Sequence, residues 1–180
     1  PKLYDYVFQL RSKHKVQEQI RLLQPLVHIS GRFSAARSYL GVVLPLAWHP
    51  TNRNALIVCD LFHDHRPLLD EDGETLRQRL YTRREDLLEG QLPVPLKLLH
   101  VNKCPVIAPL SVLREEDRQR LQLDMSVYKT RVAALNEGQT IWQDKLKSVY
   151  ANDNFAASED PEQQLYDCLL YTSPSPRDRG

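Results

Sequence analysis

The chain has 180 residues, 42% hydrophobic and 26% charged, with a formal net charge of +1, a balance that fits one water-soluble domain with a real core and excludes a disordered chain. No apolar run approaches the roughly 20 residues that span a bilayer, and no charged-then-apolar leader opens the chain, so neither membrane insertion nor export is expected. The three cysteines, Cys59, Cys104 and Cys168, show no CxxC spacing; they read as reduced thiols of a cytoplasmic protein and argue against a zinc site.

Residue 1 is Pro, which reads as a fragment of a longer protein. Leu3, Tyr6, Val7 and Leu10, then Val16, Ile20 and Leu23, recur at helical spacing until Pro25, predicting one helix or two short ones. This opening is basic: Lys2, Arg11, Lys13, Lys15, Arg21, Arg32 and Arg37 face only Asp5 and Glu18. Such a stretch can neutralise phosphates of a nucleic acid; the alternative is a solvated helix face.

Short β-like runs follow, separated by turn chemistry: "LVHIS", "VVLPLAW", "ALIVCDL", "VPLKLLHVN" and "PVIA". One helix interrupts them at "ETLRQRLYT", with Asp72 or Thr75 placed to cap it. Short strands without regular intervening helices predict an α+β fold built on a small, partly open β-barrel with helical insertions, not a doubly wound sheet. From Leu113 the texture turns helical, in "LREEDRQRLQL", "MSVYKTRVAALNEG" with Ser126 as cap, and "TIWQDKLKSVY". Leu121, Val127, Val132, Leu135, Ile141, Leu146 and Val149 are expected to hold these flanking helices on the barrel. The small, acidic "ANDNFAASEDPEQQ" reads as a linker before a new element at "QLYD".

Asp60, His63, Asp64 and His65 in "CDLFHDHRPLLD" have the residue types of a metal site, but no further ligand is fixed by sequence, and a turn before Pro67 is the better reading. His65 and Asp70 have the H-x4-D spacing of two-metal exonucleases, yet Pro67 is expected to break a helix there and no D-x-E pair accompanies them. Phosphate-cradling and nucleophile-elbow motifs are absent. What remains is polar and basic residues at strand ends: Lys97, His100, Asn102 and Lys103, and Asn52, Arg53 and Asn54. Alternation puts Lys97 and Leu99 on one face, so Lys97 is expected to project from a barrel surface that suits a nucleic-acid backbone. Turn and capping chemistry is the competing explanation, above all for Asn52 and Asn54.

The stretches "PLVHISGRF", "PLAWHPTNRNALIVCDL", "LRQRLYT", "VPLKLLHVNKCPV" and "LREEDRQRL" resemble the middle of the bacterial exodeoxyribonuclease I family, in order from Pro1 to about Asp167. The resemblance implies a monomeric three-part enzyme: an exonuclease domain of the DEDD type, an SH3-like barrel and a helical domain. Together they form a C-shaped clamp that degrades single-stranded DNA from the 3′ end with Mg²⁺. By that likeness residues 1–24 are the end of the exonuclease domain and a linker helix, 25–150 the SH3-like barrel with helical additions, and 151–167 a linker and the start of the helical domain. The catalytic and metal-binding residues would lie in the missing part, leaving this piece inert alone. Implied DNA contacts are Lys13, Asn54, Lys97 and Asn102. Tyr6 and Arg114 are implied in binding the acidic C-terminal tail of single-stranded DNA-binding protein. The "FHDHR" loop and residues Ser38 to Val43 depart from the family pattern. A stand-alone, non-catalytic nucleic-acid-binding or adaptor module is the alternative.

The last stretch, "CLLYTSPSPRDRG", is Pro-rich with two S-P dipeptides, the pattern of a regulatory tail. The family pattern stops at Cys168, and "CLLYTSPSPRD" matches a translated sequencing-library transposase adapter. Residues 168–180 are therefore expected to be non-native read-through.

Overall fold

The computed structural model describes residues 13–103 and 105–151, apart from the side chains of residues 13–15 and 37. Tyr6, Cys104, the expected linker after Ala151 and the expected read-through at 168–180 lie outside these residues.

Five strands appear where the apolar runs place them: β1 (Leu26–Ile29), β2 (Leu40–Trp48), β3 (Ala55–Asp60), β4 (Leu96–His100) and β5 (Val106–Pro109). They form one antiparallel sheet in the order β4-β3-β2-β1-β5, a four-strand meander closed by β5 returning to the outer side of β1. Pro45 has no N–H to give to a ladder, and the β2 register shifts between Pro45 and Ala47, a bulge that adds curvature. Its carbonyl accepts the Leu23 N–H at 2.8 Å.

The strands read as unbroken apolar runs because both faces of the sheet are covered. Leu26, Val43, Leu56, Val58, Leu99 and Ile107 line the inner face with Phe33, and Val16 of α1 (Lys13–Gln19), with Ile20 just past the end of that helix, caps it. β4 and β5 are the two unpaired edges, yet Leu99 and Ile107 share this one cluster, so the sheet curls into a partly open barrel. Val27, Val42, Leu44, Leu46, Ile57 and Cys59 line the other face, against the helices.

Those helices are α2 (Arg66–Asp70), α3 (Gly73–Arg79), α4 (Glu115–Arg120), α5 (Met125–Glu137) and α6 (Gln139–Tyr150). Of the two caps expected for α3, Asp72 serves: its Oδ1 accepts the Thr75 N–H at 2.8 Å. Pro67 does not break a helix. It stands in the first turn of α2, where its missing N–H has no helical partner to lose. Ser126 is not the cap of α5; Asp124 is, and Ser126 donates its hydroxyl to Asp124 at 2.8 Å. On α6 the buried stripe is Trp142, Leu146, Val149 and Tyr150, whereas Ile141, expected inside, is 49% exposed. Trp142 wins that competition because its indole N–H donates to Leu135 O at 2.7 Å while its rings fill the core. Leu135 is buried as expected, and Leu121, Val127 and Val132 pack partly buried against the same core.

Candidate nucleic-acid interface

Lys97 is placed by the ladder between β3 and β4, where it pairs with Val58. It shares a face with Leu99, as alternation requires, but that face is the inner one, so Lys97 emerges at the barrel mouth and not from an outer wall. Its ammonium lies 3.2 Å from Asp60 Oδ2 and 4.3 Å from the centre of the Phe33 ring. Lys97 remains 27% exposed, and Asp60 only 2%. Asp60 is fixed from three sides: Phe62 donates its N–H to Oδ1 at 3.0 Å, His63 Nε2 stands 3.6 Å from Oδ2, and Lys97 completes the group.

Phe33 is the support under Lys97. Its ring lies across Gly41, where an added Cβ would overlap it, and meets the His28 ring edge-on with centres 5.8 Å apart. His28 is buried and donates Nδ1–H to Val106 O at 3.1 Å. Burial pushes its pKa down to about 4, with Arg32 and Lys97 adding to the effect, so the imidazole is neutral at pH 7. A neutral His28 leaves the cationic character of the mouth to Lys97 and its neighbours.

A second group forms at the far end of β4. Asn54 O accepts the Val101 N–H at 2.9 Å, which ties the "HPTNRN" turn to the 3₁₀ turn Val101–Lys103 that carries Asn102. α1, whose first residue is Lys13, lies against that same turn. Asn54 and Asn102 therefore belong to one corner, which the helix beginning at Lys13 packs against, and Lys97 stands five residues before Asn102 along the chain, roughly 15 Å away by strand rise. Asn54 and Asn102 are buried side chains, and Asn54 Oδ1 accepts no hydrogen bond among the described residues. Turn chemistry accounts for Asn52: its Oδ1 accepts the Asn54 N–H at 2.9 Å, and its own N–H, with that of Thr51, is capped by His49 Nδ1 at 3.1 Å. Arg114 lies apart at the start of α4, half exposed and 3.7 Å from Glu116.

The acidic and histidine residues of "CDLFHDHRPLLD" meet in pairs, His63 with Asp60 and His65 with Asp64, and not as one cluster. Asp64 accepts from Arg66 Nε at 2.9 Å, which holds its carboxyl below the usual range, and burial lowers the pKa of His65. Among the described residues no three His, Cys, Asp or Glu side chains come together to hold a metal. None of the described helices is long and apolar enough to cross a membrane. Sequence reasoning missed Asp60, Phe33 and Gly41 as the surroundings of Lys97; only strand register brings them together.

A family model described as "Exonuclease I SH3-like domain" matches residues 11–152. The chain is similar to exodeoxyribonuclease I of Escherichia coli strain K12, 43% identical over 169 residues, covering 92% of this chain and 35% of the relative. It thus spans about a third of the length of that relative. In structure it resembles E. coli exonuclease I in complex with a dA16 oligonucleotide, with TM-score 0.79 and 41% identity over 99% of this chain and 38% of the other. It likewise resembles the protein of an ExoI/SSB-Ct complex, with TM-score 0.77 and 39% identity over 97% of this chain and 39% of that one.

Proposed function

The chain belongs to the exonuclease I SH3-like domain family, and we propose that it is the strand-binding clamp portion of an exodeoxyribonuclease I, a cytoplasmic, monomeric enzyme hydrolysing single-stranded DNA 3′→5′ in repair and recombination. The observation that carries this reading is the likeness, along nearly the whole chain, to an exonuclease I held with dA16. Mg²⁺, which the likeness implies, finds no ligand set among the described residues, so no chemical step is assigned to them. Their part is to hold the strand while the chemistry proceeds in a companion domain.

In this reading Lys97 supplies the cation that meets a phosphate at the barrel mouth. Asn54 and Asn102, buried at the joined turns, act by fixing the corner on which α1, the helix beginning at Lys13, rests. A strand laid along β4 meets both places in turn, which suits contacts to the backbone without base reading. The residue boundaries 25–150 for the barrel with its helical additions belong to the same proposal, with 1–24 before it and 151–167 beginning a helical domain. Tyr6 and Arg114 are proposed to contact the acidic C-terminal tail of single-stranded DNA-binding protein, a reading supported by the likeness to the ExoI/SSB-Ct complex.

The test is fluorescence anisotropy of a labelled oligothymidylate, single-stranded or annealed to its complement, titrated with the purified chain. Phosphate contacts of this kind predict salt-sensitive binding to the single strand, roughly micromolar or weaker. Absence of binding at low salt, or equal binding to the duplex, overturns the proposal.

A further inference from the structure

The barrel does not close, and the gap between its edge strands β4 and β5 holds a groove of about 550 Å³, within the size range of small-ligand sites. His28 and Val106 form one wall, His100 and Lys103 the other, and Arg32 and Tyr39 the rim; among the described residues no carboxylate lines it. Arg32 reaches across the seam and donates from Nη2 to Leu98 O on the edge of β4 at 3.2 Å. Lys97, Arg66, Arg79 and Arg120 are each paired with an acid. Arg32 and Lys103 are exposed and make no ion pair among the described residues.

Tyr39 is held at the rim by an unusual backbone. Ser38 and Tyr39 have φ of 56° and 59°, two consecutive left-handed residues without a glycine, at a cost of about 1 kcal/mol each. Two hydrogen bonds maintain this conformation: Tyr39 N–H to Ser34 O at 3.0 Å, and Ser30 N–H to Tyr39 O at 2.9 Å. The result is a ring 49% exposed, outside both cores, beside two cations that pair with no acid among the described residues. Backbone strain that presents an aromatic side chain to solvent, where burial would stabilise it, points to a contact made there.

We propose that this seam groove is a nucleotide subsite for single-stranded DNA, in which the Tyr39 ring stacks on a base and Arg32 and Lys103 hold the adjoining phosphate. The subsite rests on the strand-binding reading above and adds to it a place where a base is held. The chemistry favours a nucleic-acid strand over a peptide. Two cations with an exposed aromatic ring match phosphate and base, whereas a peptide strand adding to the edge of β4 would need Leu98 O, which Arg32 occupies.

The test compares the wild-type chain with Tyr39→Asn, Lys103→Gln and Lys97→Ala by oligothymidylate anisotropy over a salt series, with circular dichroism to confirm folding. Asn tolerates the left-handed backbone, so Tyr39→Asn removes the ring and not the turn. Loss of one stacked base predicts about tenfold weaker binding with an unchanged salt slope. Lys103→Gln, at an exposed position, predicts a slope shallower by about 0.7. If Lys97→Ala weakens binding while the other two bind like wild type, the subsite is wrong and the strand-binding reading stands. If the wild type binds no oligonucleotide, both fall. A wild-type dimer dissolved by Tyr39→Asn also overturns the subsite, because a second copy would then fill the groove.

Discussion

Lys97 Nζ stands 3.2 Å from Asp60 Oδ2, so the cation proposed to meet DNA already has an anionic partner, one almost wholly buried. The pair sets a threshold: a phosphate must share Lys97 with Asp60 or draw it away. Lys97 keeps enough exposure to swing outward, whereas Asp60 is fixed by the Phe62 N–H and the end of β3.

Asp60→Asn should therefore release Lys97. Asn retains an acceptor for Phe62 but no charge, so oligonucleotide binding should tighten about two- to fivefold while stability falls by about 1 kcal/mol. Anisotropy and urea unfolding check the two effects. Weaker binding by a folded variant would instead make Asp60 the group that aims Lys97.

His28 makes the barrel acid-sensitive. Its folded pKa of about 4 lies below the ordinary value of 6.5, so the unfolded chain binds the extra proton between those values. The stability due to the neutral ring is complete above pH 6.5 and is lost as pH falls from 6.5 toward 4, by up to about 3 kcal/mol. Urea melts at pH 7, 5.5 and 4.5 should show this fall in the wild type and a smaller one in His28→Asn. Equal falls would remove His28 as the cause.

Gly41→Ala should disturb the mouth from beneath. The added methyl would collide with the Phe33 ring, and overpacking of that sort costs about 1–3 kcal/mol. Thermal unfolding measures the loss. A variant as stable as wild type would show that Phe33 shifts freely and does not fix Lys97.

On the clamp reading, which gives the chain strand binding and no chemical step, the chain alone should leave a labelled single strand intact in Mg²⁺. Shortened products on a denaturing gel, carried by the purified chain, would place an active site within it.

Much of this fold is legible in the sequence, since apolar runs bounded by Gly, Pro and Asn mark all five strands and Asp72 stands at the head of α3. Pro67 misleads because proline opens a helix as readily as it breaks one, and only the position of the first turn distinguishes the two. Ile141 misleads by one position on α6, where the bulk and the indole hydrogen bond of Trp142 decide which face turns inward. Alternation correctly joins Lys97 with Leu99 but cannot say which face is inner. That depends on the curl of the sheet and on α1 covering one side. Asp60 and Lys97 are 37 positions apart, and no local pattern announces their meeting; it follows from the register that sets Val58 against Lys97.

The most direct test of the clamp reading is the salt dependence of oligothymidylate binding by the wild-type chain and Lys97→Ala. The account predicts weaker binding by Lys97→Ala and a log–log salt slope shallower by about 0.7, the contribution of one phosphate contact to a single strand. Identical affinity and slope for the two folded proteins would contradict it, removing Lys97 from the strand's path.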